Sequence, residues 1–457
     1  MTQTTERRTI GLVVNDMIGE RMAGPGIRQW EFARILAQRF SVKLIVPPFV
    51  PMGSVPASES SPAPVDICTS VSDLYTSVQE CDIIITLGVV LFLYPFICQL
   101  DKIIVLDIYV PMLLEDLERE TDSDLVRQLT TNENLLDAHR INLRSADFLI
   151  CAGEKQRDFW LGMLAGVGRI NPYTYRQDPT LRRLIDVVPF GLPEDPPQHL
   201  RPVLKGIYPG ISAADKVVLW GGGIWRWFDA ATLVRAMPLI LQQRTDVKLF
   251  FMGTQPSRRD IARRTAVDET IALSHELGLY EKYVFFNEWV AYEDRQNYLL
   301  EADVGVSLHL DHIETLFSFR TRLLDNLWAG LPVVSTRGDV MSEMLAAHNL
   351  AHLVAPRDVE GVAQTILSLL DKPNLRAEYA ARAQQVAPQY RWSAVAQPLV
   401  DFCANPYRAP DRAYLRQRPL TAARSRLPGR AWRALRLGGF SSLLQQTGEY
   451  LRWKMSK

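Results

Sequence analysis

The chain has 457 residues, 47% hydrophobic and 22% charged, with 51 basic and 51 acidic side chains for a formal charge of zero. That length accommodates two ordinary domains and a tail, and the composition is that of a globular protein. The five cysteines (68, 81, 98, 151 and 403) are odd in number, scattered and free of any C-x-x-C, which argues for reduced thiols and against a disulfide frame or a zinc site. Charge is unevenly spread. Residues 405–457 carry ten Arg and two Lys against Asp411 and Glu449, a balance of +10, so the remainder is an acidic body at −10.

Taken in order, residues 9–15 (TIGLVVN) read as a buried strand, followed by a loop over 16–26, a helix from about 27 to 40 and a second strand, SVKLIVP. A βαβ opening with a Gly-rich first loop is a Rossmann-like start. It is not the dinucleotide fingerprint, because Gly24 and Gly26 are followed by Gln29 where a third glycine would stand. Arg28, just inside the helix, either faces a ligand or is a solvated helix-start arginine. Residues 47–64 are Pro- and Ser-rich, an exposed loop. Residues 83–100 run for 18 positions without charge, long enough to span a bilayer. Gly88 and Pro95 interrupt that run and Asp82 and Asp101 flank it, so a buried strand, loop and helix is expected instead.

Residues 82–86 and 102–107 read as parallel strands. Asp107 and Tyr109 sit at the carboxyl end of the second, where Rossmann-like domains keep their sites; a turn or capping role is the alternative for Asp107. Residues 113–143 form a long helical region whose Glu115, Asp116, Glu118, Arg119 and Glu120 read as a solvated face. Asp122-Ser123-Asp124 mimics a metal-binding DxD but follows no strand, so no metal is assigned to it. A strand at 146–151, a helix opening at 154–157 and a strand at 185–192 (IDVVPFGL) close the first domain, and the Pro-rich 194–209 is a hinge.

The second half opens with 216–223 (KVVLWGGG), whose Gly222 and Gly223 let backbone approach a ligand closely. Trp225 and Trp227 after it either pack between domains or stack on a base. Residues 248–253 and 284–287 are further strands, the latter leading into Trp289. After a strand at 304–308 come His309, Asp311, His312 and Glu314 on a loop, at a spacing that matches no metal-ligand pattern. Contacts of His309 and Glu314 to ligand hydroxyls are the functional reading, and a satisfied strand-end loop the structural one. Ser318 or Thr321 is expected to cap a helix bearing Leu323, Leu324, Leu327 and Trp328 and ended by Gly330. A helix N-terminus at the carboxyl end of a parallel sheet, flanked by Arg320 and Arg322, is a cradle for a diphosphate. The turn Arg337-Gly338-Asp339 lines the same crevice.

Residues 325–334 (DNLWAGLPVV), with Gly338 and Glu343 beyond, resemble the donor-binding half of family-four glycosyltransferases, retaining enzymes of the GT-B fold. Residues 185–192 and 390–402 resemble that family's pre-linker strand and its returning terminal helix. Two departures stand out. Of the family's two glutamates eight positions apart, the second falls on Asp325 and the first on Phe317, with Glu314 the nearest acid. The family's phosphate-contacting lysine falls on Phe228, leaving Arg226 to supply that charge.

The resemblance covers roughly residues 8–404 and implies an α/β chain of two Rossmann-like domains facing across a cleft. Residues 1–193 are the acceptor-side domain, 194–211 a linker, 212–388 the nucleotide-sugar domain, 389–404 the return helix and 405–457 a basic amphipathic tail. The implied donor site comprises Gly222, Gly223, Arg226, His309, Ser318, Phe319, Arg320, Thr321, Arg322, Asp325, Gly338 and Glu343. Gly24, Gly26 and Arg28 approach it from the N-terminal loop, and Asp107, Tyr109 and Glu314 are the catalytic candidates. No metal and no cofactor beyond the nucleotide-diphosphate sugar is expected, the leaving diphosphate being stabilised by helix dipole and cations.

The implied activity is sugar transfer to a glycan or lipid-linked saccharide in cell-surface polysaccharide assembly. A sugar-nucleotide epimerase or hydrolase, or a catalytically silent partner in a glycan-assembly complex, are the alternatives. Residues 426–436 and 440–455 alternate Arg with Trp, Leu and Phe. With an acidic body, that favours an anionic membrane surface over nucleic acid. No secretory signal is apparent before the first strand, and a cytoplasmic protein, peripheral on the inner face of the membrane, is expected.

Overall fold

Short β-branched runs bounded by turn residues build two wholly parallel sheets. The computed structural model describes residues 8–50, 61–119, 121, 123–254, 261–372 and 374–418, apart from the side chains of 261–264. The first sheet comprises β1 (Thr9–Val13), β2 (Ser41–Val46), β3 (Val65–Ile67), β4 (Ile83–Leu87), β5 (Ile103–Asp107), β6 (Phe148–Cys151) and β7 (Ile185–Val187), in the order β3-β2-β1-β4-β5-β6-β7. All five residues of β4 are buried, because helices cover both faces of a parallel sheet. The uncharged run that includes this strand continues into the short helices Val90–Leu93 and Pro95–Cys98, and no helix among the described residues is long and apolar enough to cross a membrane.

The expected single helical region over 113–143 is two helices, Met112–Arg119 and Leu125–Ser145. Asp124 caps the second by accepting from the Arg127 amide at 3.0 Å, an ordinary N-cap role for this half of the apparent DxD; Asp122 lies outside the described residues.

The second sheet comprises β8 (Lys216–Gly223), β9 (Val247–Gly253), β10 (Val284–Phe286), β11 (Val304–Ser307), β12 (Val333–Thr336) and β13 (Ala351–Val354), in the order β10-β9-β8-β11-β12-β13. Strand order reverses between β8 and β11, as it does between β1 and β4 in the first sheet. Such a reversal leaves an open crevice beyond the strands' carboxyl ends. The loops after β8 and β11 therefore face one crevice, and the loops after β1 and β4 the other.

The outgoing and returning segments of the chain meet where the Leu192 amide donates to Tyr390 O and the Trp392 amide to Leu192 O. Trp392, 1% exposed, packs on Phe32 and Phe190 at ring separations of 5.7 and 4.9 Å. A Cβ on Gly191 would fall 2.5 Å from its indole, so only glycine fits there.

Residues 405–418 are not a free extension. Asp411 and Arg169, both fully buried, pair at 3.0 Å, while Arg412 pairs with Asp147 and Arg408 with Asp101. The first stretch of the expected tail is thus packed on the first domain, with Arg408 and Arg412 engaged by acids of that domain. The basic-aromatic sequence from 419 onward lies outside the described residues.

Candidate functional site

The site grows from three strand ends of the second sheet. β8 runs into three glycines, and Gly222 has φ of +81°, a conformation only glycine adopts without strain. The loop that follows is fastened onto the loop after β11. Phe228 and His309 form an antiparallel bridge, and the Asp229 amide donates to Leu308 O at 3.0 Å. Asp229 also caps the helix Ala230–Leu241, taking the Thr232 amide and hydroxyl at 3.0 and 2.7 Å. Phe228 lies beneath two guanidinium groups, 3.7 Å from that of Arg322 and 4.9 Å from that of Arg320, measured to the ring centre. The position where a lysine was absent therefore holds an aromatic platform for two arginines.

The two arginines differ in what they hold. Arg322 donates to Gly223 O at 2.8 Å and so ties the helix Thr321–Ala329 to the Gly-rich strand end. Arg320, 4% exposed, pairs in two-point fashion with the fully buried Glu314, at 3.0 and 2.6 Å, and reaches the Thr315 hydroxyl at 3.2 Å. Glu314 sits on a short helix, Ile313–Phe317, where a loop was expected. The capping expectation fails as well. Arg320 occupies the N-cap, no side chain caps the helix, and the Ser318 hydroxyl donates to Thr315 O while Phe319 packs against the core. The first-turn amides of Thr321–Ala329 are left without a side-chain acceptor at the crevice.

His309 is fully buried, its amide donating to the Thr336 hydroxyl at 3.1 Å and its Nε2 lying 3.7 Å from the Asp339 carboxylate. Burial, and secondarily the Arg320 charge, lower its pKa to about 3, so the imidazole is neutral at physiological pH. Asp339 caps the helix Val340–Ala347 through the Met341 and Ser342 amides. Gly338, at φ of +120°, donates its amide to the exposed Glu343 carboxylate at 3.1 Å. Asp325 pairs with Arg295 at 3.0 Å. Among the described residues no three His, Cys, Asp or Glu side chains gather as a metal-ligand set.

Trp225 and Trp227 stack on each other, ring centres 5.2 Å apart and planes within 5° of parallel, with Trp227 buried. Arg226 between them lies 3.8 Å from Glu269. Trp289 abuts the end of β9, 3.7 Å from where a Gly253 Cβ would stand, beside Gly222.

On the first domain, the structure overturns the reading of Arg28 as a crevice-facing or solvated cation. It is fully buried, bonded to both oxygens of Asp107 at 2.6 and 3.2 Å and to the carbonyls of Pro189 and Val188 at 2.8 and 2.7 Å. Asp107 is engaged by that pair and by the Tyr109 amide, an arrangement that fixes strand ends rather than presenting a base. Burial holds the Tyr109 phenol well above its usual pKa, and its hydroxyl lies 3.2 Å from a Cβ built on Gly24. A Cβ on Gly26 would meet the Met17 carbonyl at 2.2 Å, which explains that glycine without any ligand.

Two residues that the sequence did not single out join the halves. Gln156 donates to Tyr109 O at 2.8 Å and to Phe317 O at 2.9 Å, bridging the domains. Glu115, read as part of a solvated face, is drawn into the interdomain contact opposite Glu314. Burial, reinforced by the Glu314 charge, raises its pKa to about 7. Nothing local in the sequence marks either residue, since each acts through a partner more than 150 positions away.

Residues 215–372 match the family model described as glycosyl transferases group 1. The fold is GT-B, and the second domain is similar to group 1 glycosyltransferases. Among curated proteins it is similar to phosphatidyl-myo-inositol mannosyltransferases, 27% identical to that of Mycolicibacterium smegmatis and 26% to that of Mycobacterium leprae, each over 170 residues. Those matches span 37% of this chain and about 40% of the relatives' length. Among solved structures, this GT-B chain resembles sucrose-phosphate synthase of Thermosynechococcus elongatus (TM-score 0.61, 17% identity) and Anabaena HepE in complex with UDP-glucose (TM-score 0.59, 16% identity). Each likeness covers 87% of this chain and 99% of the other.

Proposed function

We propose that this GT-B protein transfers a sugar from a nucleotide-diphosphate sugar to a saccharide or lipid-linked acceptor with retention of configuration. The observation that carries the proposal is the convergence, where the second sheet reverses its strand order, of the Gly222-Gly223 strand end, Arg322 seated on it and the uncapped N-terminus of Thr321–Ala329. Amides, helix dipole and guanidinium fixed before any ligand arrives stabilise a leaving diphosphate without reorganisation.

In this reading Arg322, with Arg226, takes the diphosphate, and Arg320 acts indirectly by holding Glu314. Glu343 and Asp325 are the carboxylates assigned to ribose or donor sugar, His309 supplies a neutral imidazole to a sugar hydroxyl, and Trp289 flanks the base. Tyr109, with Asp107 and Arg28 behind it, forms the acceptor-side wall. No metal or cofactor takes part. HepE was crystallised with UDP-glucose, which supports a nucleotide-sugar donor, and the mycobacterial relatives are phosphatidyl-myo-inositol mannosyltransferases, which supports a lipid-linked acceptor. The basic-aromatic sequence from 419 onward supports work at the inner, anionic face of a membrane in surface-polysaccharide assembly.

The test is release of nucleoside diphosphate from a panel of UDP- and GDP-sugars, with EDTA or Mg²⁺, and with or without a lipid-glycan extract. Acceptor-dependent release insensitive to EDTA is expected. Release independent of acceptor would identify an epimerase or hydrolase. No release and no thermal shift with any nucleotide would favour a silent partner, a reading that the engagement of Glu314 by Arg320 keeps specific.

A further inference from the structure

A second cavity lies at the opposite edge of the same sheet. It has a volume of about 520 Å³ and is bounded by the linker, the starts of β8, β11 and β12, and the start of the helix Leu375–Val386. Lys216 begins β8 and Gly223 ends it, so at roughly 3.3 Å per residue this cavity is about 20 Å from the nucleotide crevice.

Four cations line it, Lys205, Lys216, Lys372 and Arg376, against two carboxylates, Glu301 and Asp303. The carboxylates are already engaged. Glu301 accepts the amides of Val203, Leu204 and Lys205 at 2.8, 2.7 and 2.9 Å. Asp303 accepts the Val217 amide at 2.8 Å and pairs with Lys205 at 2.7 Å and Lys216 at 3.4 Å. Arg376 points its guanidinium at three carbonyls, of Ala302, Leu299 and Ala329, at 3.0–3.2 Å, with no carboxylate in ion-pair reach among the described residues. Burial lowers its pKa to about 10, which leaves it charged at neutral pH. Lys372 is exposed at the rim, likewise with no carboxylate within 4.0 Å of its ammonium among the described residues.

The cavity therefore holds two positive charges in excess, over an apolar floor that includes Leu300, Pro332 and Leu375. A buried guanidinium held only by carbonyls is further stabilised by an anion, and a dianion also reaches the exposed Lys372 ammonium at the rim. We infer that this cavity binds a small phosphate monoester, its phosphate toward Lys216, Lys372 and Arg376 and its organic body on the apolar floor. The volume falls within the range of small-molecule sites. This site is separate from the nucleotide crevice and stands whether or not transferase activity is found.

Calorimetric titration of the full chain with glucose 6-phosphate and, separately, with inorganic phosphate tests it. Saturable one-to-one binding of glucose 6-phosphate is expected, with inorganic phosphate at least about tenfold weaker for want of the contacts that the sugar ring makes with the cavity floor. Lys216→Gln and the surface change Lys372→Glu should each weaken glucose 6-phosphate by roughly tenfold or more, while Arg322→Ala in the distant crevice leaves it unchanged. No binding, binding indifferent to both lysine changes, binding lost with Arg322→Ala, or equal affinity for inorganic phosphate would each overturn the inference. Lys372→Glu alters an exposed side chain, so its effect is separable from loss of fold.

Discussion

Glu314 and Arg320 close on each other as a two-point ion pair, Oε1 to Nη1 at 3.0 Å and Oε2 to Nη2 at 2.6 Å, with both side chains buried. The pair joins the short helix Ile313–Phe317 to the start of Thr321–Ala329 and so sets a wall of the crevice at the carboxyl end of the second sheet. Removing one partner strands a buried charge. Arg320→Ala is expected to destabilise the protein by roughly 3–5 kcal/mol, whereas the double change Glu314→Leu/Arg320→Met should come close to wild type. Denaturant melts of the three proteins check this. If the single change costs under about 1 kcal/mol, the pair is not what holds the wall.

Arg322 lies over the Phe228 ring and donates to Gly223 O. Arg322→Ala is expected to weaken nucleoside diphosphate binding by roughly ten- to hundredfold, the value of a charge-assisted hydrogen bond, with little change in unfolding midpoint. Isothermal titration with UDP and GDP gives the number, and unchanged affinity would remove Arg322 from the site.

Glu115 carries a pH signature. Its folded-state pKa of about 7 lies above the usual 4.5, so the folded protein binds this proton more tightly than the unfolded chain. The contribution is most favourable below about pH 4.5 and is lost as pH rises through about 7, by at most about 3 kcal/mol. Glu115→Gln should therefore flatten the decline in stability between pH 5 and about pH 7.5, measured as the difference in denaturant midpoint from wild type. An identical pH dependence in the two proteins would place Glu115 in solvent.

Truncation separates the two parts of the basic C-terminal segment. Deleting 405–457 removes Asp411 and leaves the fully buried Arg169 without its partner, at an expected cost of roughly 3–5 kcal/mol. Deleting only 419–457 should leave the melting midpoint near wild type while reducing sedimentation with anionic liposomes at low salt. If the shorter deletion keeps full liposome binding, the membrane reading of that sequence fails.

Much of this protein is legible in its sequence because it is local. Valine- and isoleucine-rich runs at regular intervals specified the parallel strands, Gly330 the end of its helix at φ of +59°, and Gly222 the left-handed turn at the carboxyl end of β8. The roles of individual charges were not local. Arg28 and Asp107 are 79 positions apart, Arg169 and Asp411 are 242, and Arg320 turned to Glu314 instead of outward. A charged residue in a sequence carries no mark of whether its counterion comes from solvent, from a ligand or from a distant strand. The sequence by itself therefore determined the two-sheet architecture and the place of the crevice, since backbone propensity and hydrophobic period act over a few residues. Only the tertiary structure decided which cations remain for a ligand, because burial and pairing depend on what the fold brings within a few ångströms.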